Sequence, residues 1–456
     1  MKKKSLLTTS LIFYAVTSQA ADLPLSTESI TFSVDHLWVL VSTALVFFMQ
    51  AGFKAFEVGM VRTEHSNAVS IKNIIDWIVG SLIFLFVGFG VMFGKSHLGF
   101  IGSDLFFGIG IQDNPEGSPL GTIFFLFQIA FATTALTIVS GAMSERTGFI
   151  PYMTASAFIA IFIYPVFGHW VWGNLFYENN PAWLADLGFI DFAGSTVVHS
   201  IGAWVALVGI WMIGPRLGRF DENGKPVHFK SSSYSYSVLG LIILWLGWWG
   251  FNGGSQLALD KAVGDIILNT NIAGATAGLV AFFHCYWFQD RKDLYPKLLG
   301  GVIGGLVAIT APCAYVSHLD SLIIGAIAGL VHNYSFDFLL HKLKLDDPVG
   351  AIPVHGFCGV WGTLSVAFFG DLAADVSRLE QLGIQLLGVV VAFVFTTSTS
   401  FLMFALLKKT VGLRVSPQEE KTGFIIGGEK TEDENSEDEI DGMSEEELMK
   451  LITSDQ

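Results

Sequence analysis

Charge is scarce in this sequence: Asp, Glu, Lys and Arg make up only 14% of the 456 residues, against 52% hydrophobic side chains. A chain with that balance exposes more apolar surface than one soluble core can bury, so lipid must cover the remainder. Cysteine is scarcer still. Cys285, Cys313 and Cys358 form an odd set without metal-ligand spacing, each within or at the end of an apolar segment, and they read as free buried thiols. No nucleophile-base set and no metal motif stands out, so enzyme chemistry, a metal and a cofactor are not implied. The net charge of −15 argues against a nucleic-acid partner, but it is unevenly placed. From Glu429 onward twelve acids face only Lys430 and Lys450, a net of −10 that leaves −5 for the rest.

What is abundant is Phe, with 40 residues, and Gly, with 49. That pairing suits helices packed closely through small residues, with aromatic rings toward lipid or a pore. Met1-Lys-Lys-Lys, the apolar run from Leu6 to Val16 and Thr17-Ser-Gln-Ala-Ala21 have the three parts of a secretory signal peptide over 1–20, with cleavage near Ala20. Apolar segments then recur at 36–61, 73–94, 120–143, 150–173, 195–214, 234–256, 265–288, 298–315, 319–340, 353–370 and 383–407. Each approaches the ~20 residues needed to cross a bilayer, which predicts an all-α polytopic membrane protein of eleven transmembrane helices.

Basic residues follow the odd-numbered segments: Arg62 and Lys72, Arg146, Arg216 with Arg219 and Lys225, Arg291 with Lys292, Lys342 with Lys344, and Lys408 with Lys409. The positive-inside rule therefore places the mature N-terminus outside and the C-terminus in the cytoplasm. The polar linker 215–232 divides ten helices into five and five, a first repeat over 30–214 and a second over 233–370, with helix eleven at 383–412. An odd number per half forces the halves into opposite orientations, the layout of an inverted repeat with its path at the interface. The remainder, 413–456, reads as an acidic cytoplasmic tail; its Glu432 to Asp441 block is solvated chain, and Ser444-Glu-Glu-Glu447 has the spacing of a short capped helix.

Two histidines interrupt apolar segments at matching positions of the halves, His199 in His199-Ser-Ile-Gly-Ala-Trp204 and His355 in His355-Gly-Phe-Cys-Gly-Val-Trp361. Either alone reads as a buried histidine bonded to a carbonyl; together they point to a shared site on the pseudo-symmetry axis. Two neutral imidazoles can bond to each other, offer a polar small molecule a partner and relay a proton. A metal site is the competing reading, but no third ligand lies nearby. Phe127, Phe131, Trp172 and Phe251 lie in spanning segments and could attract a cation. Packed or lipid-facing aromatics are the bland alternative, and composition alone favours it. Asp191, directly before the fifth segment, is placed to cap a helix.

The strings Met49-Gln-Ala-Gly-Phe53, Ser144-Glu-Arg146, Val171-Trp-Gly173, Asp191-Phe-Ala-Gly194, Trp249-Gly-Phe-Asn252 and Asp346-Asp-Pro-Val-Gly-Ala-Ile-Pro-Val-His-Gly356 occur in order across most of 35–412. Together they resemble the ammonium transporter/Rh family, on the bacterial ammonium transporter side. The resemblance implies a homotrimer in the bacterial inner membrane whose subunits each have a pore for ammonium or methylammonium. It implies that Phe127, Trp172 and Ser255 recruit the cation, that Phe131 and Phe251 form a stacked gate, that His199 and His355 line the pore, and that Asp191 is the essential acid near the entrance. Lys54 departs from the apolar residue expected there; an ion pair with Glu57 or a place on a cavity are the two readings. The family's usual His-Gly-Glu-containing segment is missing after Gly412-Leu-Arg, which counts against the PII-type regulator common in the family. An ammonium sensor acting through its tail or a partner is the alternative to transport.

Overall fold

Backbone N–H and C=O groups in hydrocarbon have no water to bond, so each spanning segment must close its hydrogen bonds internally as a helix. The computed structural model describes residues 26–112 and 114–423, and among them eleven helices are long and apolar enough to cross a membrane. They are α1 (Thr27–Met60), α2 (Thr63–Phe93), α3 (Thr122–Ala142), α4 (Phe149–Trp172), α5 (Ser195–Ile213), α6 (Tyr234–Gly254), α7 (Ala262–Phe288), α8 (Arg291–Thr310), α9 (His318–Lys342), α10 (Ile352–Phe369) and α11 (Arg378–Thr410). The signal peptide and the acidic block with its short helix lie outside the described residues. Cys285, Cys313 and Cys358 are buried and unpaired.

Serine sets several of the helix starts. Ser26, Ser233, Ser317 and Ser377 each accept a backbone N–H from the first turn of α1, α6, α9 and α11, and Ser317 forms a reciprocal capping box with Asp320. Such caps satisfy donors that the helix itself leaves open. The helix whose start departs furthest from the sequence expectation is α2, which begins ten residues before 73. Lys72, expected in a loop, is inside it and buried, its Nζ donating to the Thr147 carbonyl at 2.5 Å. Asn73 and Asp76 are buried as well. Apolar periodicity missed this turn because its polar side chains face other helices, where partners replace water.

The halves are joined through α1 and α6, the leading helix of each. A Cβ on Gly240 would stand 2.3 Å from the Phe56 nitrogen, and one on Gly59 2.3 Å from Ser237 Oγ. The two backbones therefore touch, the close approach that small residues permit between membrane helices.

One end of the bundle is basic, and its charges are paired. Arg216 grips Asp346 through Nε at 2.8 Å and Nη2 at 2.9 Å and reaches Glu145 at 2.5 Å. Arg62 also binds Glu145, at 2.5 Å, and Arg219 approaches Asp346 at 3.1 Å. The start of the tail is stitched to the same place. Gly148 N–H donates to the Leu413 carbonyl, Val415 N–H to Arg146, and Glu420 accepts from Arg414 and from the Leu217 N–H. Residues 413–423 thus pack with the membrane body, and the acidic chain continues from there.

Burial would raise the carboxyls of Asp346 and Glu145, but Arg216 and its neighbours outweigh it and hold both below the usual carboxylate range. Depressed acids lend stability that is complete above their unfolded values of about 4 and is lost as pH falls through the folded values. Asp346→Asn should therefore lower the melting temperature in detergent at pH 7, since breaking a buried pair from one side costs about 3–5 kcal/mol. The difference from wild type should shrink only below about pH 4. An equal melting temperature at pH 7 would show that Asp346 is not the keystone of this end.

Candidate functional site

The end of α5 remote from the basic residues is built around Asp191. Its Oδ1 accepts the N–H groups of Gly194 (3.0 Å) and Ser195 (2.8 Å), and Oδ2 those of Thr196 (2.8 Å) and Val197 (2.9 Å). One carboxylate thus takes up the four donors a helix start leaves unpaired. Burial pushes this carboxyl up, and the four N–H bonds pull it back. Gly194 has φ +112, a conformation that side chains disfavour, and a Cβ there would also meet Val198 at 2.6 Å. The following turn, Ser195–Ser200, is π-helical and carries His199.

The same device recurs at the opposite end of the other half. Asp347 accepts the N–H groups of Gly350 (3.0 Å) and Ile352 (2.8 Å), Gly350 has φ +72, and the π-helical turn Ile352–Phe357 carries His355. Both halves spell Asp-x-x-Gly-x-x-x-x-His, with acid and imidazole eight residues apart. Sequence reading found the histidines but missed Asp347 and this repeated spacing, although both were open to inspection. π-Turns open a helix by one residue and are frequent at functional sites.

The turns enter from opposite ends and bring the rings together. His199 Nδ1 and His355 Nδ1 lie 3.1 Å apart, with ring planes 19° from parallel. One of these nitrogens must donate and the other accept. Both rings are buried, and His199 Nε2 has no hydrogen-bond partner among the described residues. Trp248 stacks on His199 with centroids 5.1 Å apart and planes at 17°, while its own N–H donates to Thr310. Trp248 is a second residue the sequence reading passed over, since one tryptophan in an aromatic-rich segment carries no distinguishing signal.

Above His199, on the side away from the basic end, Phe251 stacks at 5.4 Å from the imidazole. Phe251 is in turn stacked on Phe131, with centroids 4.0 Å apart and planes at 18°. The pair thus stands between the histidines and the outer aromatic rings. Outside it, Phe127 lies 4.6 Å and Trp172 6.2 Å from Phe131. Trp172 donates its indole N–H to the Asp191 carbonyl at 2.8 Å, so the acid's loop also fixes this ring. Ser255 donates to the Phe251 carbonyl at 2.8 Å, which leaves its oxygen lone pairs free to accept. Phe127, Trp172 and Ser255 therefore gather round the outer side of the Phe131–Phe251 stack.

Toward the basic end, Phe53 approaches His355 with centroids 6.4 Å apart. Below it, Glu57 is buried and bonded to Asn73 and Ser140. The Lys54–Glu57 ion pair considered from the sequence does not form, because the carboxyl turns inward while Lys54 stays partly exposed. No group of three or more His, Cys, Asp or Glu suited to a metal occurs among the described residues.

Comparison with known proteins gives a consistent picture. The sequence model of the Ammonium Transporter Family matches residues 37–426. The chain is 40% identical over 411 residues to ammonium transporter Amt2 of Archaeoglobus fulgidus, covering 86% of each chain. It is 41% identical to a putative ammonium transporter of Synechocystis, covering 86% of this chain and 73% of that one. Among solved structures, a sensor Amt protein superposes with a TM-score of 0.86 at 44% identity, covering 89% of this chain and all of that one. Saccharomyces cerevisiae Mep2 superposes with a TM-score of 0.76 at 26% identity, covering 84% and 87%.

Proposed function

The chain belongs to the Ammonium Transporter Family, and from that premise we propose that it moves ammonium through the histidine-lined route between its two halves. The observation that carries this reading is the His199–His355 contact at 3.1 Å, directly behind the Phe131–Phe251 stack. Taking a bare ion of this size into a low-dielectric passage costs on the order of 20 kcal/mol by an idealised Born estimate, and several even after relaxation. Ammonia avoids most of that cost. A cation is recruited at the outer rim by the faces of Phe127 and Trp172, each contributing about 0.5–2 kcal/mol, and by the Ser255 oxygen.

There it gives up its proton, and ammonia passes once Phe131 and Phe251 swing apart. The imidazoles supply hydrogen bonds through the dry stretch, and a proton travels separately from one ring to the next. Asp191 fixes the geometry of the entrance and has its four acceptor positions filled by the backbone. Potassium can use the same rim but has no proton to shed. In the cell the protein sits as a homotrimer in the bacterial inner membrane, with the basic end and the tail in the cytoplasm, as the distribution of Lys and Arg favours.

The test is current across bilayers containing the purified protein under an ammonium gradient. Saturable current is expected with ammonium and methylammonium, and K⁺ should carry less than about a hundredth of it, the discrimination of a penalty of roughly 2.7 kcal/mol. Tight ammonium binding to silent membranes would instead support the role of a sensor.

A further inference from the structure

The histidines are not the last ionisable groups along this route. Beneath them is a cavity of about 20 Å³ lined by Phe53, Glu57, Ile138, Leu244, Val354 and His355, among others. A void needs roughly 10–15 Å³ to hold one water, so this one accepts a single water or ammonia between an imidazole and a carboxyl. Glu57 is 2% exposed, and only one of its oxygens is occupied: Oε2 accepts from Asn73 at 2.9 Å and from Ser140 at 3.3 Å. Oε1 accepts no hydrogen bond among the described residues and lies beside Gly141, where an added Cβ would stand 3.0 Å from it, while the side chain lines the cavity.

Among the described residues no cation forms an ion pair with this carboxyl. Lys72 and Asp76 on α2 are the charges that act on it, and both are engaged elsewhere, Lys72 with the Thr147 carbonyl and Asp76 with Tyr152 at 2.5 Å. α3 offers only the Ser140 hydroxyl. A tie between α1, α2 and α3 does not require an acid here. Gln50 already bonds the Asn73 carbonyl at 2.6 Å and Thr137 at 3.2 Å, and a glutamine at 57 could accept from Asn73 equally well. An unneutralised carboxyl is costly within a membrane and is characteristic of ion and proton paths.

We propose that Glu57 is the proton carrier on the basic-end side of the histidine pair. The carboxylate takes the proton that left the cation at the rim and was passed on by His355, becoming a carboxylic acid. It then gives that proton to an ammonia molecule in the cavity; ammonium departs and the carboxylate is restored. This rests on the separate travel of proton and ammonia in the reading above.

The test uses the full chain in liposomes, reading ammonium-driven current and, with an internal pH dye, the alkalinisation left by ammonia that enters without its proton in the same vesicles. In Glu57→Gln the charge moved per ammonia should fall by about tenfold or more, within the reach of a lost proton-transfer group. Glu57→Asp, which keeps the acid, should recover part of it. An unchanged ratio in Glu57→Gln overturns the proposal. So does loss of both signals in both variants, which would make Glu57 a packing group. Wild-type protein that passes ammonia without current would sink the relay itself, and the part of Glu57 with it.

Discussion

Replacing both His199 and His355 by leucine is expected to lower ammonium-driven current ten- to a hundredfold and to weaken the exclusion of K⁺. Ammonia crossing a dry passage leaves its hydrogen bonds to water behind, and the paired imidazoles offer it polar partners where the two π-helical turns meet. Losing such a partner costs about 1–3 kcal/mol, roughly five- to 150-fold in rate, which brackets that range. The single variants should be impaired for a different reason. Each strands the remaining ring, whose Nδ1 loses its partner at 3.1 Å, and for His199 the Nε2 already has none. Comparable current and unchanged K⁺ exclusion in the double variant would refute the histidine route altogether.

The second large effect belongs to Asp191. Asp191→Ala uncaps four N–H donors at once, each costing about 1–3 kcal/mol when buried without a partner, so folded protein should largely disappear from size-exclusion chromatography in detergent. Asp191→Asn is the sharper probe. Its amide oxygen can still serve Gly194 and Ser195, but the NH₂ group then confronts the N–H groups of Thr196 and Val197, which are donors themselves. The π-turn carrying His199 should shift and transport should fall about a hundredfold, in keeping with two unpaired donors. Wild-type transport in Asp191→Asn would mean that the cap neither fixes the histidine nor serves the entrance.

The outer shape was legible because lipid imposes a rule the sequence must obey: long apolar runs, broken by polar turns, with Lys and Arg gathered on one side. Eleven segments follow from that rule, and eleven helices stand at those places. Boundaries failed where the rule has exceptions. Lys72 reads as part of a loop, yet it lies within α2, since a polar group inside a bundle needs a partner and not water. The histidines were legible as ionisable residues in apolar stretches. The equivalence of Asp191 and Asp347 was also written in the sequence, as one acid-glycine-histidine spacing used twice.

Sequence by itself determined that this chain crosses a membrane, how many times, and that its halves must run in opposite directions, because hydropathy and helix count are sums over local residues. Only the tertiary structure decided that His199 and His355 meet, that Phe131 and Phe251 face each other and not the lipid, and that Glu57 turns from Lys54 toward a cavity shared with His355. These juxtapositions join residues far apart in sequence, 156 positions for the two histidines. Periodicity along one helix says which face is apolar, and it carries no information on which neighbour that face will meet.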